Sequence, residues 1–263
     1  MSEVSTQKKK GPFDKLFGNK EKAESVDKPA VNIPPVRQAP RLVTPAVQEC
    51  KKITPKIQTL GLIDRLDRIV TVVGGDNSVV LDNKIYACIT QDSLAKTATR
   101  LLMKDGKTHP ASRIPLGAAI DDLFFFEDAK TLVLSGLLPD DIELTREDLE
   151  CIRDAVESFV YMNESACNRM AVKEVYEKMK DKTVYVQGDM TGKGNLTFTY
   201  LKRKSESGAE YRSIMTYLTY EHAMRKNPNN NPITACKVGE LCNFFGAILV
   251  EPDEHYWIEF FRC

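Results

Sequence analysis

The chain has 263 residues, of which 42% are hydrophobic and 28% are charged, the balance of a folded globular protein. Its 37 basic and 37 acidic side chains cancel, so the overall charge does not indicate nucleic acid as a partner, and we expect none. No run approaches the roughly 18 apolar residues of a membrane-spanning helix, and the N-terminus lacks the apolar core of a signal peptide. We therefore expect a cytoplasmic protein.

Seven cysteines are scattered along the chain, and no two have the Cys-x-x-Cys spacing of a redox or zinc site. Only three histidines accompany them, so the sequence shows no cluster of Cys and His at zinc-ligand spacing. We predict free thiols in a reducing compartment, no metal site and no bound cofactor.

The first 56 residues are predicted to be an extended or disordered basic arm. They hold seven of the thirteen prolines, which lack a backbone donor and are excluded from helix interiors. One stretch mixes positive and apolar side chains: Lys8, Lys9, Lys10, Phe13, Lys15, Leu16 and Phe17. Such a stretch can bind anionic lipid or an acidic partner weakly, since few apolar side chains are available to insert. A solubilising tail is the alternative.

Residues 57–138 form the first predicted unit. After a short helix, the β-branched run over 68–73 predicts a strand, which two glycines end. A second strand is predicted over 84–90 and leads into a helix. A short apolar segment around Gly117 and a hairpin over 124–134 complete the unit.

Residues 139–166 are predicted to be a helical connector, and residues 167–263 a second unit. Apolar side chains at helical spacing run through the connector and into the start of the second unit. Strands are predicted over 183–187 and 211–219, and a closing hairpin over 248–261. The order of elements in the first unit therefore returns in the second.

This fixed order of elements indicates an internal repeat. Each unit is predicted to contain a helix, three strands, a helix, a short helix and a hairpin. Strands and helices come in unequal runs instead of alternating. We therefore predict an α+β fold of two tandem related units, each a small, mostly antiparallel sheet with helices. The two units should share one strand order.

Two strand ends in the second unit carry a family resemblance. One strand ends in Leu218-Thr219-Tyr220 and leads a helix, and the closing strand ends in Glu251-Pro252. With the helix around Gly239, this order resembles the SseB-type domain of bacterial enhanced-serine-sensitivity proteins. That family has Phe-Thr-Ser and Asn-Pro at the two places, so both depart from its pattern. The resemblance covers most of the second unit and is fainter in the first. It implies two divergent SseB-like units and no catalytic residues.

Several groups of residues suggest chemistry but fit structural roles better. The loop from Gly188 lacks the spacing of a phosphate-binding loop and is predicted to be a turn. The acidic residues at 121–122 and 251–254 fit caps and strand faces better than acid–base work. His222 lies on a predicted helix with only Glu221 beside it. We expect no catalytic residue.

The closing strand, residues 255–261, is the candidate interface. Alternate residues of a strand face opposite sides. The side with Ile258 is apolar and should face the core. Trp257, His255 and Glu259 share the other side, so the single tryptophan should be partly exposed. Aromatic side chains dominate the binding energy of many interfaces, which makes Trp257 the candidate anchor for a protein partner.

These features predict a non-enzymatic binding or adaptor protein with a protein partner. Two alternatives stay open. One is a structural or membrane-associated component recruited by the basic arm, and the other is an enzyme without a recognisable motif. The oligomeric state is not indicated. A polar concave pocket with perturbed ionisable groups between the units would favour the enzyme.

Overall fold

The computed structural model describes residues 44–74, 80–190, 197–205 and 207–262. These residues belong to one folded unit, Leu42–Cys263, which contains both predicted repeats. The basic stretch from Lys8 to Phe17 lies outside the described residues, as does most of the predicted arm. Within the described ranges, no helix combines the length and apolar character that crossing a bilayer requires.

The first repeat consists of α1 (Pro55–Leu60), β1 (Ile69–Val73), β2 (Lys84–Cys88), α2 (Gln91–Asp105), β3 (Ala111–Pro115), α3 (Leu116–Phe125), β4 (Thr131–Ser135) and β5 (Ile142–Thr145). Between the repeats lie α4 (Arg146–Leu149) and α5 (Arg153–Ala166). The second repeat consists of α6 (Val172–Met179), β6 (Thr183–Gln187), β7 (Tyr200–Lys204), β8 (Glu210–Tyr217), α7 (Tyr220–Arg225), β9 (Ile233–Lys237), α8 (Val238–Phe245), β10 (Ala247–Val250) and β11 (Ile258–Phe261).

The two sheets have the same strand order. The first runs β3-β1-β2-β4-β5, and the second runs β9-β6-β8-β10-β11 with β7 added beside β8. In each sheet one central pair is parallel, β2 with β4 and β8 with β10, and the other neighbours are antiparallel. The predicted α+β fold with two sheet-containing repeats is therefore confirmed, and so is the shared strand order.

One glycine in each repeat shows how closely the backbones correspond. The N–H of Gly117 donates to the carbonyl of Leu66, and the N–H of Gly239 donates to that of Lys180, both at 2.8 Å. Each glycine thus holds the start of a helix, α3 or α8, against the residues that precede the first strand of its sheet. A Cβ at Gly117 would overlap the ring of Phe159, which is fully buried in α5.

The closing hairpin of the first repeat differs from the prediction. Residues 124–126 were expected to form a strand, but α3 continues to Phe125, and β4 pairs with β5 instead. The apolar run of α3 hid its helical period, in which every third or fourth side chain is buried. Strand β5 lies inside the segment 139–166 that was expected to be a helical connector. The edge strands β3 and β9 were also not predicted, because each is short and passes directly into a helix.

Order also begins before the expected boundary at residue 56. The N–H of Gln48 donates to the carbonyl of Ala235 in β9 (2.7 Å), and the hydroxyl of Tyr185 donates to the carbonyl of Lys51 (3.2 Å). The N–H of Ile53 donates to the carboxylate of Glu221 (2.8 Å). We call residues 44–54 the strap, because they bind the second repeat before the chain enters the first.

Candidate functional site

The parallel strands β8 and β10 end side by side, and ionisable side chains gather where they end. The carboxyl ends of parallel strands are a common location for sites in sheets, because loops and helix starts meet there. Thr219 follows β8, and its side chain accepts the N–H of His222 (3.1 Å) as the N-cap of α7. This cap places His222 in the first turn of the helix, next to the end of β10.

Glu251 follows β10 and has an unusual backbone conformation. Its φ of 52° lies in the left-handed region, which costs a non-glycine residue about 1–2 kcal/mol. The conformation turns the side chain back into the protein, where it is 1% exposed. Carboxylate Oε1 accepts the N–H of Leu218 (2.6 Å), and the N–H of Glu251 donates to the carbonyl of Thr216 (2.9 Å). The strain is therefore maintained by bonds to the end of β8.

His222 lies between two carboxylates. Its Nδ1 is 2.7 Å from Oε2 of Glu251, and its Nε2 is 3.3 Å from Oε1 of Glu254. The His222 and Glu251 side chains are buried, whereas that of Glu254 is 26% exposed and opens the group to solvent. We call His222, Glu251 and Glu254 the triad.

The contact between His222 and Glu251 is close but poorly directed. Nδ1 and Oε2 are 2.7 Å apart, yet neither atom makes a well-directed hydrogen bond. Burial lowers the pKa of His222, but the Glu251 and Glu254 carboxylates outweigh it and raise the pKa above the ordinary 6.5. Burial raises the pKa of Glu254, and the charge of His222 opposes that change. The triad therefore concentrates negative charge around one imidazole.

Two of the three predicted interface residues, Trp257 and Glu259, lie on the side of the sheet that points away from the core. Trp257 is 47% exposed, while Ile258, the next residue, is buried in the core, so the predicted alternation is observed. Glu259 shares the face of Trp257, but its side chain is only 9% exposed. His255 is exposed, yet it lies in the turn before β11 and not on the strand, because β11 begins at Ile258.

Neighbouring strands extend this face. Leu201 and Arg203 of β7 lie opposite Ser213 and Tyr211 of β8, and opposite residues share a face. Glu259 accepts the hydroxyl of Tyr211 (3.1 Å) and pairs with Arg203 (3.3 Å). We call the following residues the outer face: Leu201, Arg203, Tyr211, Trp257, Glu259 and Phe261.

The outer face combines exposed apolar groups with a fixed polar centre. Leu201 and Phe261 are 37% and 52% exposed. The guanidinium of Arg203 lies over the Trp257 ring, 5.4 Å from its centroid, and the rings of Tyr211 and Phe261 are 5.5 Å apart. The mostly buried Glu259 thus holds both Arg203 and Tyr211 in place beside the exposed rings.

A cleft of about 540 Å³ lies between α1 of the first repeat and α7 of the second. Its lining is largely apolar and includes Ile57, Leu62 and Met224. Asp64 and Arg225 form an ion pair at its edge. Burial raises the pKa of Asp64, but Arg225 outweighs this effect and lowers it. The triad residues do not line this cleft, so it does not bring the perturbed imidazole to a pocket between the repeats.

No protein-family model, curated protein or solved structure matches this chain. The resemblance to SseB-type domains therefore stays a prediction. The triad was missed in the sequence because His222 and Glu251 are far apart, and each was considered with its neighbours alone. One signal could have indicated the triad: Thr219 and Glu251 each follow a strand, and these two strands, β8 and β10, are neighbours in the sheet.

Proposed function

We propose that the protein is a binding module that captures a protein partner on the outer face. The observation that carries the proposal is the presence of three partly exposed apolar side chains on one sheet face, around an arginine stacked on the single tryptophan. Trp, Tyr and Arg are the residues most enriched among those that dominate interface energies. Clustered exposed apolar groups rimmed by polar residues are typical of binding surfaces.

The polar contacts of Glu259 favour binding because they fix the surface in advance. Its carboxylate restrains Arg203 and Tyr211 through the contacts at 3.3 Å and 3.1 Å. Immobilising a long side chain on association costs about 0.5–1.5 kcal/mol, and a side chain that is already held avoids part of that cost. The surface is therefore suited to a partner without large rearrangement.

The charge of the β7–β8 hairpin bears on the chemistry of the partner. The hairpin carries Lys202, Lys204 and Arg212, all exposed, and by strand alternation they point to the opposite side of the hairpin from Arg203 and Tyr211. Arg212 stacks on Tyr200 with 4.8 Å between the guanidinium and the ring centroid. A partner segment with apolar anchors on the outer face and acidic groups that reach past the edge of β7 would complement these charges.

We infer that the protein works in the cytoplasm and that binding, not catalysis, is its task. The free thiols of the six described cysteines support a reducing compartment. The basic stretch from Lys8 to Phe17 stays a predicted second contact, for anionic membrane or an acidic partner.

The proposal is tested by affinity enrichment from the source organism with three forms of the full chain. These are the wild type, Trp257→Ala and Phe125→Ala. Phe125 is the matched control because it is an exposed aromatic residue on α3, away from the outer face. A partner should be enriched by the wild type and the control and lost with Trp257→Ala.

The enriched partner is then purified and titrated against each form. Isothermal titration calorimetry gives the Kd of all three forms, and in the two forms that keep Trp257, the only tryptophan, its fluorescence should shift when the partner covers it. We expect Trp257→Ala to raise the Kd at least tenfold. Equal Kd values for all three forms would refute the outer face as the binding surface.

A further inference from the structure

The triad offers a set of ligand atoms that suits a metal ion. One imidazole nitrogen and two carboxylate oxygens, one atom from each residue, lie within 4.8 Å of one another. Zinc binds imidazole nitrogen and carboxylate oxygen at about 2.0–2.2 Å, and three protein ligands with an open position are common in its reactive sites. Glu254 is partly exposed and lies 3.3 Å from Nε2, so its carboxylate would have to turn toward Nδ1 to complete the set around one ion.

Two buried atoms of the triad point to a missing ligand. Nδ1 of His222 and Oε2 of Glu251 are buried and lack a hydrogen bond, although they are 2.7 Å apart. Buried polar atoms are nearly always satisfied, so two neighbouring exceptions need an explanation. An ion between Nδ1 of His222 and Oε2 of Glu251 can contact both atoms.

The surroundings hold the ligands in the manner of a built site. The other oxygen of Glu251 accepts the N–H of Leu218 (2.6 Å), which orients the carboxylate toward His222. Such outer contacts to ligating groups are a regular part of metal sites. The strained backbone of Glu251, with φ of 52°, is also typical of positions kept for function.

The negative charge of the triad is not neutralised by the neighbouring cationic side chains. With a neutral imidazole, the two carboxylates give the triad a charge of −2. The nearby cationic side chains are already engaged, since Arg225 pairs with Asp64 and Lys226 lies 3.7 Å from Asp253. A divalent ion would neutralise the group, and the 26% exposed side chain of Glu254 provides its route from solvent.

We propose that His222, Glu251 and Glu254 bind one divalent transition-metal ion, with Zn²⁺ as the best fit to the ligand set. The sequence alone predicted no metal site, because the three residues are brought together only by the ends of β8 and β10. The proposal is independent of the outer face, which lies on other residues.

The test measures binding of Zn²⁺, Mn²⁺ and Mg²⁺ to chelator-treated full-length protein by isothermal titration calorimetry. We expect one Zn²⁺ per chain, weaker Mn²⁺ binding and no Mg²⁺ binding, since imidazole ligation favours transition metals. Co²⁺ serves as a spectroscopic probe, because its visible absorption reports the coordination geometry of the ion.

Two variants decide where the ion binds. Glu254→Gln, in the exposed turn, should fold normally and weaken Zn²⁺ binding at least tenfold, and Glu251→Gln should do the same if it folds. His255→Asn, at an exposed histidine in the same turn, is the control and should leave binding unchanged. Absence of stoichiometric Zn²⁺ binding, or equal binding by Glu254→Gln and the wild type, would overturn the proposal.

Discussion

The two parallel strand pairs end at corresponding places in their sheets, yet they carry different side chains. Thr90 caps α2 and Thr219 caps α7, each accepting the N–H three residues later, which belongs to Ser93 in one repeat and His222 in the other. The next strand ends at Ser135 in the first repeat, where the register of the second places Glu251. The backbone of the repeat thus fixes the positions, while substitution within one copy creates the ionisable triad.

The same comparison applies to the closing strands. Ile142 pairs with Leu134, and Ile258 pairs with Val250, so β5 corresponds to β11. The residue before each is Asp141 in the first repeat and Trp257 in the second. Asp141 pairs with Arg100 at 2.8 Å, so charge occupies the place where the second repeat has its exposed aromatic ring.

The largest loss of stability is expected when the end of β10 is given the residue found at the end of β4. Glu251→Ser removes a buried carboxylate and leaves the N–H of Leu218 and the imidazole of His222 without it. Breaking a buried ion pair from one side costs about 3–5 kcal/mol, and we expect a loss near the lower end. Urea unfolding of chelator-treated protein measures it.

Ser135→Ala is the matched control at the corresponding position. Its hydroxyl is buried but makes no well-directed hydrogen bond, so we expect a loss below about 1 kcal/mol. Similar losses for the two variants would show that the two strand ends are energetically alike.

A smaller difference in stability is expected between alanine substitutions at the two glycines in the first turns of α3 and α8. Gly117→Ala forces a Cβ into the buried ring of Phe159, and overpacking of this kind costs about 1–3 kcal/mol. Gly239→Ala places the Cβ 3.1 Å from the carbonyl oxygen of Lys180, which requires only a small shift. The gain of about 0.5–1 kcal/mol from replacing a helical glycine should offset that shift. Equal losses in denaturant melts would contradict this account.

A pH effect should distinguish the same two helices. Asp121 in α3 corresponds to Asn243 in α8. Burial, followed by the charges of Glu157 and Asp122, raises the pKa of Asp121 from 3.8 to about 6. The folded protein therefore holds this proton more tightly than the unfolded chain. The stabilisation is fully present below pH 3.8 and is lost as the pH rises through about 6.

Asp121→Asn gives α3 the residue of its counterpart and should remove this part of the pH dependence. Above the titration range, the variant should be more stable than the wild type, because it has no partly buried charge at this position. Unfolding midpoints measured across the range provide the test, and parallel profiles for the two proteins would rule out Asp121 as the source.

The smallest effect on stability is expected at the outer face. Trp257→Ala removes a half-exposed ring and should change the melting temperature by no more than a few degrees. Phe260→Ala, on the strand that follows Trp257 and buried in the core, should cost about 3–5 kcal/mol. A loss of that size for Trp257→Ala would show that the tryptophan is a core residue.

The fold was predictable where the sequence carries a clear period. The β-branched run of β1 and the alternation around Ile258 identified one strand in each sheet. Strands β3, β5 and β9 were not identified, because they are short and owe their conformation to pairing with distant neighbours. The end of the apolar run of α3 was predicted to be a strand for the same reason, because tertiary packing decides between helix and strand for such a run.

The site was less predictable than the fold. Trp257 could be placed from alternation alone, since its neighbours on the strand are apolar. The triad depends on the register of β8 with β10 and on the left-handed backbone of Glu251, and neither follows from local sequence. The position of the triad could be found only by comparing the two repeats residue by residue at their strand ends.

The strap has a consequence for the order in which the chain can fold during synthesis. The N–H of Ala46 donates to the carboxylate of Glu240, 194 residues later in the chain. At about 5–20 residues per second, the ribosome would need on the order of 10–40 s to produce that partner after making the strap. The first repeat can pair its own strands in that interval, but the beginning of the strap, which binds Ala235 and Glu240, stays unattached until β9 and α8 have emerged. A truncated chain that ends at α5 would therefore lack the residues of the second repeat that bind the strap.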